Sequence, residues 1–238
     1  MHLQAQPMSA VKPKRKARRV LIVEDHPMTR DGLVHLIDRE PDLVVAWQAE
    51  NAAQALQAAV AEQPDLALVD ITLPDKGGID LIKDLKAVRP EMPVLVVSMH
   101  DESLYAERAL RAGARGYISK QEGGAKLMQA IRQVLGGQIY VSEKTSARIV
   151  EIFSGQPAGS AQSPIAQLSD REFEVFQLIG QGLSTQEIGE RMHISAKTVE
   201  AHRLNIKGKL RLGTAAELIA YAARWTTSQT GGGGSGSH

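Results

Sequence analysis

The sequence predicts a doubly wound α/β domain on a five-stranded parallel sheet, followed by an all-α module of four helices. Two observations carry this prediction. From residue 18 to about 136, short β-branched runs alternate with amphipathic stretches of helical length, the pattern of a parallel sheet covered on both faces. A small, polar, proline-containing stretch, "GQPAGSAQSPIAQ" at 155–167, then precedes four compact helical segments, as an interdomain linker should. A chain of 238 residues has room for both domains, each with its own core.

Taken in order, the strands are "RVLIVE", "LVVAW", "LALVD", "PVLVVS" and "GYIS", with helices expected at 27–39, 51–62, 78–88, 102–112 and 123–135. The first, third and fourth runs are almost continuously apolar, which places them at the centre of the sheet. A helix over 142–154 leads out of the domain, and further helices are expected at about 170–180, 185–192, 196–210 and 214–225. Ser169 with Glu172, and Ser184 with Glu187, have the capping-box spacing at two of these starts. The expected limits are a basic arm at 1–17, a first domain at 18–136, a connection at 137–167, a second domain at 168–226 and a flexible tail at 227–238.

Cysteine is absent, which removes disulfides, thiol catalysis and cysteine metal sites and suits a reducing compartment. No apolar run reaches the roughly 20 residues needed to cross a bilayer, and the N-terminus lacks a signal-peptide core. A cytoplasmic protein with no membrane partner is expected. The net charge of +1 conceals an uneven distribution. Basic against acidic residues number 6 and 0 in 1–19, 12 and 18 in 20–141, 2 and 2 in 142–163, and 8 and 7 beyond. An acidic body followed by a near-neutral module implies two different partners.

Ligands of an open parallel sheet sit outside the C-terminal strand ends, at the topological switch point. There the first strand ends in Glu24-Asp25, the third in Asp70, the fourth in Ser98 and the fifth in Ser119-Lys120. Any one of these is an ordinary loop residue; their conjunction at one edge is informative. Three neighbouring carboxylates repel unless a cation joins them. Mg²⁺ suits such an oxygen-rich site, neutralises an incoming phosphoryl group and leaves Asp70 as a nucleophile toward phosphorus. Lys120 and Ser98 are placed to contact the non-bridging oxygens.

Residues 18–136 resemble the receiver domain of bacterial two-component response regulators, through "VLIVEDHP", "LVDITLPDKGGIDL", "VLVVSMHDE" and "GARGYISK" in the same order and spacing. The resemblance implies a flavodoxin-like sheet of order 2-1-3-4-5 and makes Asp70 the phospho-acceptor from a histidine kinase's phosphohistidine. It further implies that Glu24, Asp25, Asp70 and the Thr72 carbonyl hold Mg²⁺, that Ser98 and Lys120 contact the phosphoryl group, and that Tyr117 changes rotamer with Ser98. Gln121 stands where many receivers have proline. Pro74 and Gly78 are expected to make a tight turn, with Gly78 supplying unusual backbone angles.

The stretch from about 168 to 224, with "LSDRE", "GLSTQEIGERM" and "ISAKTVEAHRLNIKGKL", resembles the LuxR-type helix-turn-helix of the NarL/FixJ class. Its second helix is then expected in the major groove of double-stranded DNA. On the 196–210 helix, Val199, His202, Ile206 and Leu210 share the inward face, opposite Lys197, Ala201, Leu204 and Gly208. Base contact is expected from Glu200, Ala201 and Leu204, and phosphate contact from Lys197, Thr198, Arg203 and Lys207. Glu200 departs from the basic residue of many relatives, and a carboxylate there accepts from cytosine N4. Leu218, Ile219, Tyr221 and Ala222 are expected at a homodimer contact that pairs two half-sites. The resulting expectation is a transcription regulator switched by phosphorylation. Two other readings fit the same residues: a phosphorylation-independent DNA-binding protein whose first domain is a dimerisation scaffold, and a Mg²⁺-dependent aspartyl-phosphate phosphatase.

Overall fold

The structure, a computed structural model, describes residues 17–100, 102–147 and 164–230. Nearly all of the basic arm, most of the linker and residues 231–238 of the tail lie outside the described residues. Of the helix expected at 142–154, residues 143–147 are helical and the remainder lies outside.

Five parallel strands, β1 (Arg18–Val23), β2 (Leu43–Ala49), β3 (Leu66–Val69), β4 (Val94–Ser98) and β5 (Gly116–Ser119), form one sheet of order β2-β1-β3-β4-β5. The sequence predicts this fold class, and it is the one observed. Helices α1 (Pro27–Asp38), α2 (Ala52–Ala61), α3 (Gly78–Val88), α4 (Glu102–Arg111) and α5 (Gly124–Leu135) alternate with the strands. The period of two along the strands divides the core into two layers. Val20, Ile22, Leu66, Leu68, Leu95 and Val97 pack under α1 and α5. Leu21, Val23, Ala67, Val69, Val94 and Val96 pack under α2, α3 and α4. β2 is an edge strand and leaves Val44 and Trp47 exposed.

The register aligns the strand ends. Val23 pairs with Val69, and Ser98 with Ser119, so Glu24, Asp70 and Lys120 follow side by side. The turn after Asp70 differs from expectation in its physical reason. Gly78 has no positive φ; it is the first residue of α3, and its amide donates to the Ile71 carbonyl at 2.7 Å. A Cβ there would lie 2.2 Å from the Asp70 carbonyl oxygen. Glycine is required for space, because the backbone of Asp70 occupies the volume of a side chain.

The second module consists of α6 (Asp170–Gly180), α7 (Thr185–Arg191), α8 (Ala196–Leu210) and α9 (Ala215–Thr230). Both predicted capping boxes are formed, Ser169 with Glu172 and Ser184 with Glu187. Gly182 turns the chain between α6 and α7 at φ +87° with open space around it, so here the left-handed conformation itself calls for glycine. Phe173, Val175, Phe176, Ile188, Val199, Ile206, Leu218 and Ala222 form the core. Burial of Leu218 and Ala222 removes them from the expected dimer contact; Ile219 remains exposed. α9 runs on to Thr230, four residues into the stretch read as a flexible tail. The hydroxyls of Thr226 and Thr227 donate to the Ala222 and Ala223 carbonyls at 3.0 and 2.9 Å, which lets polar residues continue the helix.

Candidate functional site

The carboxylate site is assembled by hydrogen bonds between strand ends. The Asp70 amide donates to the Val23 carbonyl at 2.9 Å, and the Glu24 amide to the Ala49 carbonyl at 3.0 Å. Both side chains are buried, Glu24 to 1% and Asp70 to 5% exposure. Lys120 lies between them, its Nζ 2.6 Å from Glu24 Oε2 and 2.7 Å from Asp70 Oδ2. The Thr72 amide donates to Asp70 Oδ1 at 3.3 Å.

Burial pushes the Glu24 carboxyl up, the Lys120 hydrogen bond opposes this, and the Asp70 charge adds to the rise; it stays above its ordinary value. Burial would lower the Lys120 ammonium, but Asp70 and Glu24 outweigh it and hold the group above its ordinary value. The lysine is thus a fixed counter-charge for two carboxylates removed from water. Donor atoms of Glu24, Asp25, His26 and Asp70 all lie within 4.8 Å of one another. Asp25 Oδ1 is shielded from solvent and has no hydrogen-bond partner; His26 Nδ1 approaches it to 2.8 Å without hydrogen-bond geometry. An orphaned carboxylate oxygen beside two more carboxylates fits a hard divalent cation. Arg30 buttresses the site from α1, donating to the Glu24 carbonyl and to Glu50 Oε1, each at 2.8 Å.

Ser98 is fully buried at the end of β4, where its Oγ accepts from the His100 amide at 3.2 Å. Tyr117 is directed inward, its hydroxyl donating to the His100 carbonyl at 2.9 Å. Sequence reasoning passed over His100, which joins the site to the second module. Its Nε2 is 2.9 Å from Thr72 Oγ1, and its ring centroid is 4.8 Å from that of Tyr105 on α4. Tyr105 packs edge-on to Phe173 of α6 at 5.3 Å, and its hydroxyl donates to the Gln177 side chain. Arg108 completes the contact. Its guanidinium lies 4.4 Å from the Phe173 ring centroid, donates to the Leu168 and Ile165 carbonyls, and pairs with Asp170 at 3.0 Å. Asp170 also accepts from Lys83 of α3 at 3.0 Å. The only local signal for this contact was the apolar and basic spacing of α4, which any surface helix shares.

The second module is held by α6, and α8 keeps its outward face in solvent. Lys197, Thr198, Glu200, Ala201, Leu204 and Gly208 are exposed, and Lys207 is partly so. Val199 and Ile206 are buried as predicted, while His202 and Leu210 are half-buried. Arg203 departs from the phosphate-facing position expected of it: its side chain is only 14% exposed and donates to Thr185 Oγ1 of α7 at 3.0 Å. The same Thr185 hydroxyl donates to Glu200 Oε1 at 2.7 Å. Thr198 is engaged by the Ser195 hydroxyl at 2.8 Å, within the N-cap of α8.

Comparisons agree with this architecture. Residues 20–132 match the family model of the response regulator receiver domain, and residues 166–222 that of the luxR family of bacterial regulatory proteins. The oxygen regulatory protein NreC of Staphylococcus carnosus (strain TM300) is 35% identical over 211 residues, covering 87% of this chain and 97% of that protein. A LuxR-family two-component response regulator from Aurantimonas sp. SI85-9A1 superposes with a TM-score of 0.54 at 33% identity, over 58% of this chain and 99% of its own. The Salmonella typhimurium RcsB response regulator shares the fold, with a TM-score of 0.63 at 22% identity over 88% of this chain and 98% of its own.

Proposed function

The chain belongs to the two-component response regulators that join a receiver domain to a LuxR-type helix-turn-helix, and from that premise we propose that a sensor histidine kinase controls its binding to double-stranded DNA by phosphorylating Asp70. The observation that carries this reading is the buried cluster of Glu24, Asp70 and Lys120 beside the orphaned Asp25 oxygen.

An Asp70 carboxylate oxygen forms the bond to phosphorus as the phosphorus–nitrogen bond of phosphohistidine breaks, and the departing imidazole takes a proton. Lys120 is within reach of Asp70 and pairs with the transferred oxygens; Ser98 donates to one of them. The carboxylates of Glu24, Asp25 and Asp70 and the Thr72 carbonyl would hold Mg²⁺, which when bound would supply the charge neutralisation for three anions and a phosphoryl group. The acyl phosphate is finally lost to water, which resets the protein. This chemistry belongs in the cytoplasm, at residues 18–136, with the output at 168–226.

Control acts through the contact between modules. Phosphorylation draws Ser98 toward the phosphoryl group and moves Tyr117 with it, which disturbs His100, Tyr105 and the α4–α6 contact. The second module then pairs with another copy through the exposed part of α9 around Ile219, and two α8 helices address two half-sites. A second reading has one specific observation in its favour. The outward face of α8 is exposed while α6 is packed against the first domain, which suits DNA binding independent of phosphorylation.

Mg²⁺-dependent labelling by a small phosphodonor, paired with duplex binding before and after labelling, separates the readings. Loss of label in Asp70→Asn and tighter DNA binding after labelling are expected. Label that survives in Asp70→Asn refutes the acceptor assignment, and DNA affinity indifferent to labelling favours the second reading.

A further inference from the structure

Ala201 and Leu204 are apolar side chains that α8 presents to solvent one turn apart, and we propose that these two recognise thymine through its 5-methyl group. The inference rests on the DNA-binding reading above and deepens it by naming what the helix reads.

A single exposed leucine is ordinary on a protein surface; the surroundings of this one make it informative. Leu204 is 67% exposed, the most exposed large apolar side chain of the second module among the described residues. It lies one turn beyond the exposed Ala201 on the same face of α8. Basic groups flank the pair, with Lys197 before it and Lys207 and Arg211 after it. A phosphate-binding surface gains nothing from an apolar ridge at its centre. A base-reading surface does, because in the major groove the thymine methyl is the apolar feature that distinguishes one base edge from the others.

Glu200, the polar candidate for base reading, is engaged within the protein, as is its neighbour Arg203. Glu200 Oε1 accepts from Thr185 at 2.7 Å, and Arg203 donates to the same hydroxyl at 3.0 Å. Both side chains therefore lean toward α7. A separate observation comes from Gly208, one turn beyond Leu204. A Cβ there would meet nothing within 4 Å, so the packing of the protein itself does not call for glycine. Glycine inside a helix costs about 1 kcal/mol relative to alanine. Its absent side chain leaves the end of the ridge open to a close backbone from outside the chain.

The test uses the full chain with Mg²⁺ and a small phosphodonor. Duplexes are selected from a random pool, and each thymine of the preferred sequence is replaced singly by deoxyuridine, which removes only the methyl. At one or two positions per half-site the affinity should fall roughly threefold to fivefold, the fold-change that corresponds to about 0.8 kcal/mol for one buried methyl. Leu204→Met should keep this sensitivity and Leu204→Gln should lose it, with both variants folded because the site is exposed. Equal affinity for thymine and deoxyuridine at every position overturns the inference while leaving DNA binding intact. Absence of binding to any duplex overturns the DNA-binding reading with it.

Discussion

Replacing Gly78 by alanine puts a methyl group where the backbone of Asp70 already stands. The added Cβ would lie 2.2 Å from the Asp70 carbonyl oxygen, 2.6 Å from Ile71 Cα and 3.0 Å from the Asp70 carbonyl carbon. Carbon–oxygen contacts ordinarily begin at about 3.3 Å, so the two segments must separate by roughly 1 Å. No flexible side chain can yield, since all three atoms are main chain. Overpacking of this kind costs about 1–3 kcal/mol, which lowers the melting temperature by about 2–4 °C per kcal/mol in a chain of this size. The larger effect falls on chemistry, because misplacing a reacting group by about 1 Å costs on the order of a hundredfold in rate. Thermal unfolding followed by circular dichroism measures the first effect, and the time course of Mg²⁺-dependent labelling the second. Gly32→Ala is the control: Gly32 is inside α1 with nothing within 4 Å of a Cβ, so alanine should stabilise by about 0.5–1 kcal/mol. A Gly78→Ala protein that melts and labels like the wild type refutes the steric argument.

Lys120→Met leaves the buried Glu24 and Asp70 facing each other without a cation; it should cost roughly 3–5 kcal/mol without metal. Mg²⁺ should restore more stability to this variant than to the wild type, read as the metal-induced shift in melting temperature. Arg108→Ala removes the cation–π contact and the pair with Asp170, about 1–3 kcal/mol of contact between modules. Small-angle scattering should show a larger radius of gyration, and α6 amides should exchange faster; an unchanged profile counts against a holding role for this contact. For Glu172, burial alone would raise the carboxyl, but hydrogen bonds from Lys209 and Ser169 outweigh it and hold the group below its ordinary value. Its stabilising contribution is therefore complete above the unfolded value of about 4.3 and is lost as pH falls through the folded value. Glu172→Gln keeps the capping-box acceptor but loses the ion pair with Lys209; it should cost about 0.5–1 kcal/mol at neutral pH and flatten the acid limb of the stability profile, measured by denaturant titration.

The site at the sheet edge was legible because parallel topology brings the C-terminal ends of strands together. Glu24, Asp70, Ser98 and Lys120 each follow an apolar run, and the observed register sets those ends side by side. Helix starts were legible for a local reason: Ser169 and Ser184 satisfy amides within their own first turns. The end of α9 was not, because threonine and serine read as breakers until their hydroxyls are seen to donate back to the preceding turn. Arg203 was expected at phosphate, yet its long side chain reaches back to Thr185 on a neighbouring helix.

The sequence by itself determined the two-module architecture, the five alternating strands and the identity of the groups at the sheet edge. These depend on periodicities of a few residues and on strand ends that topology must bring together. Only the tertiary structure decided that Gly78 is needed for space and that Lys120 bridges two carboxylates. It also decided that His100, Tyr105 and Arg108 carry the contact to Phe173 and Asp170, partners more than sixty residues away in sequence. Contacts of that kind are set by how finished surfaces meet, and the residues that make them carry no local pattern that distinguishes them from any other surface.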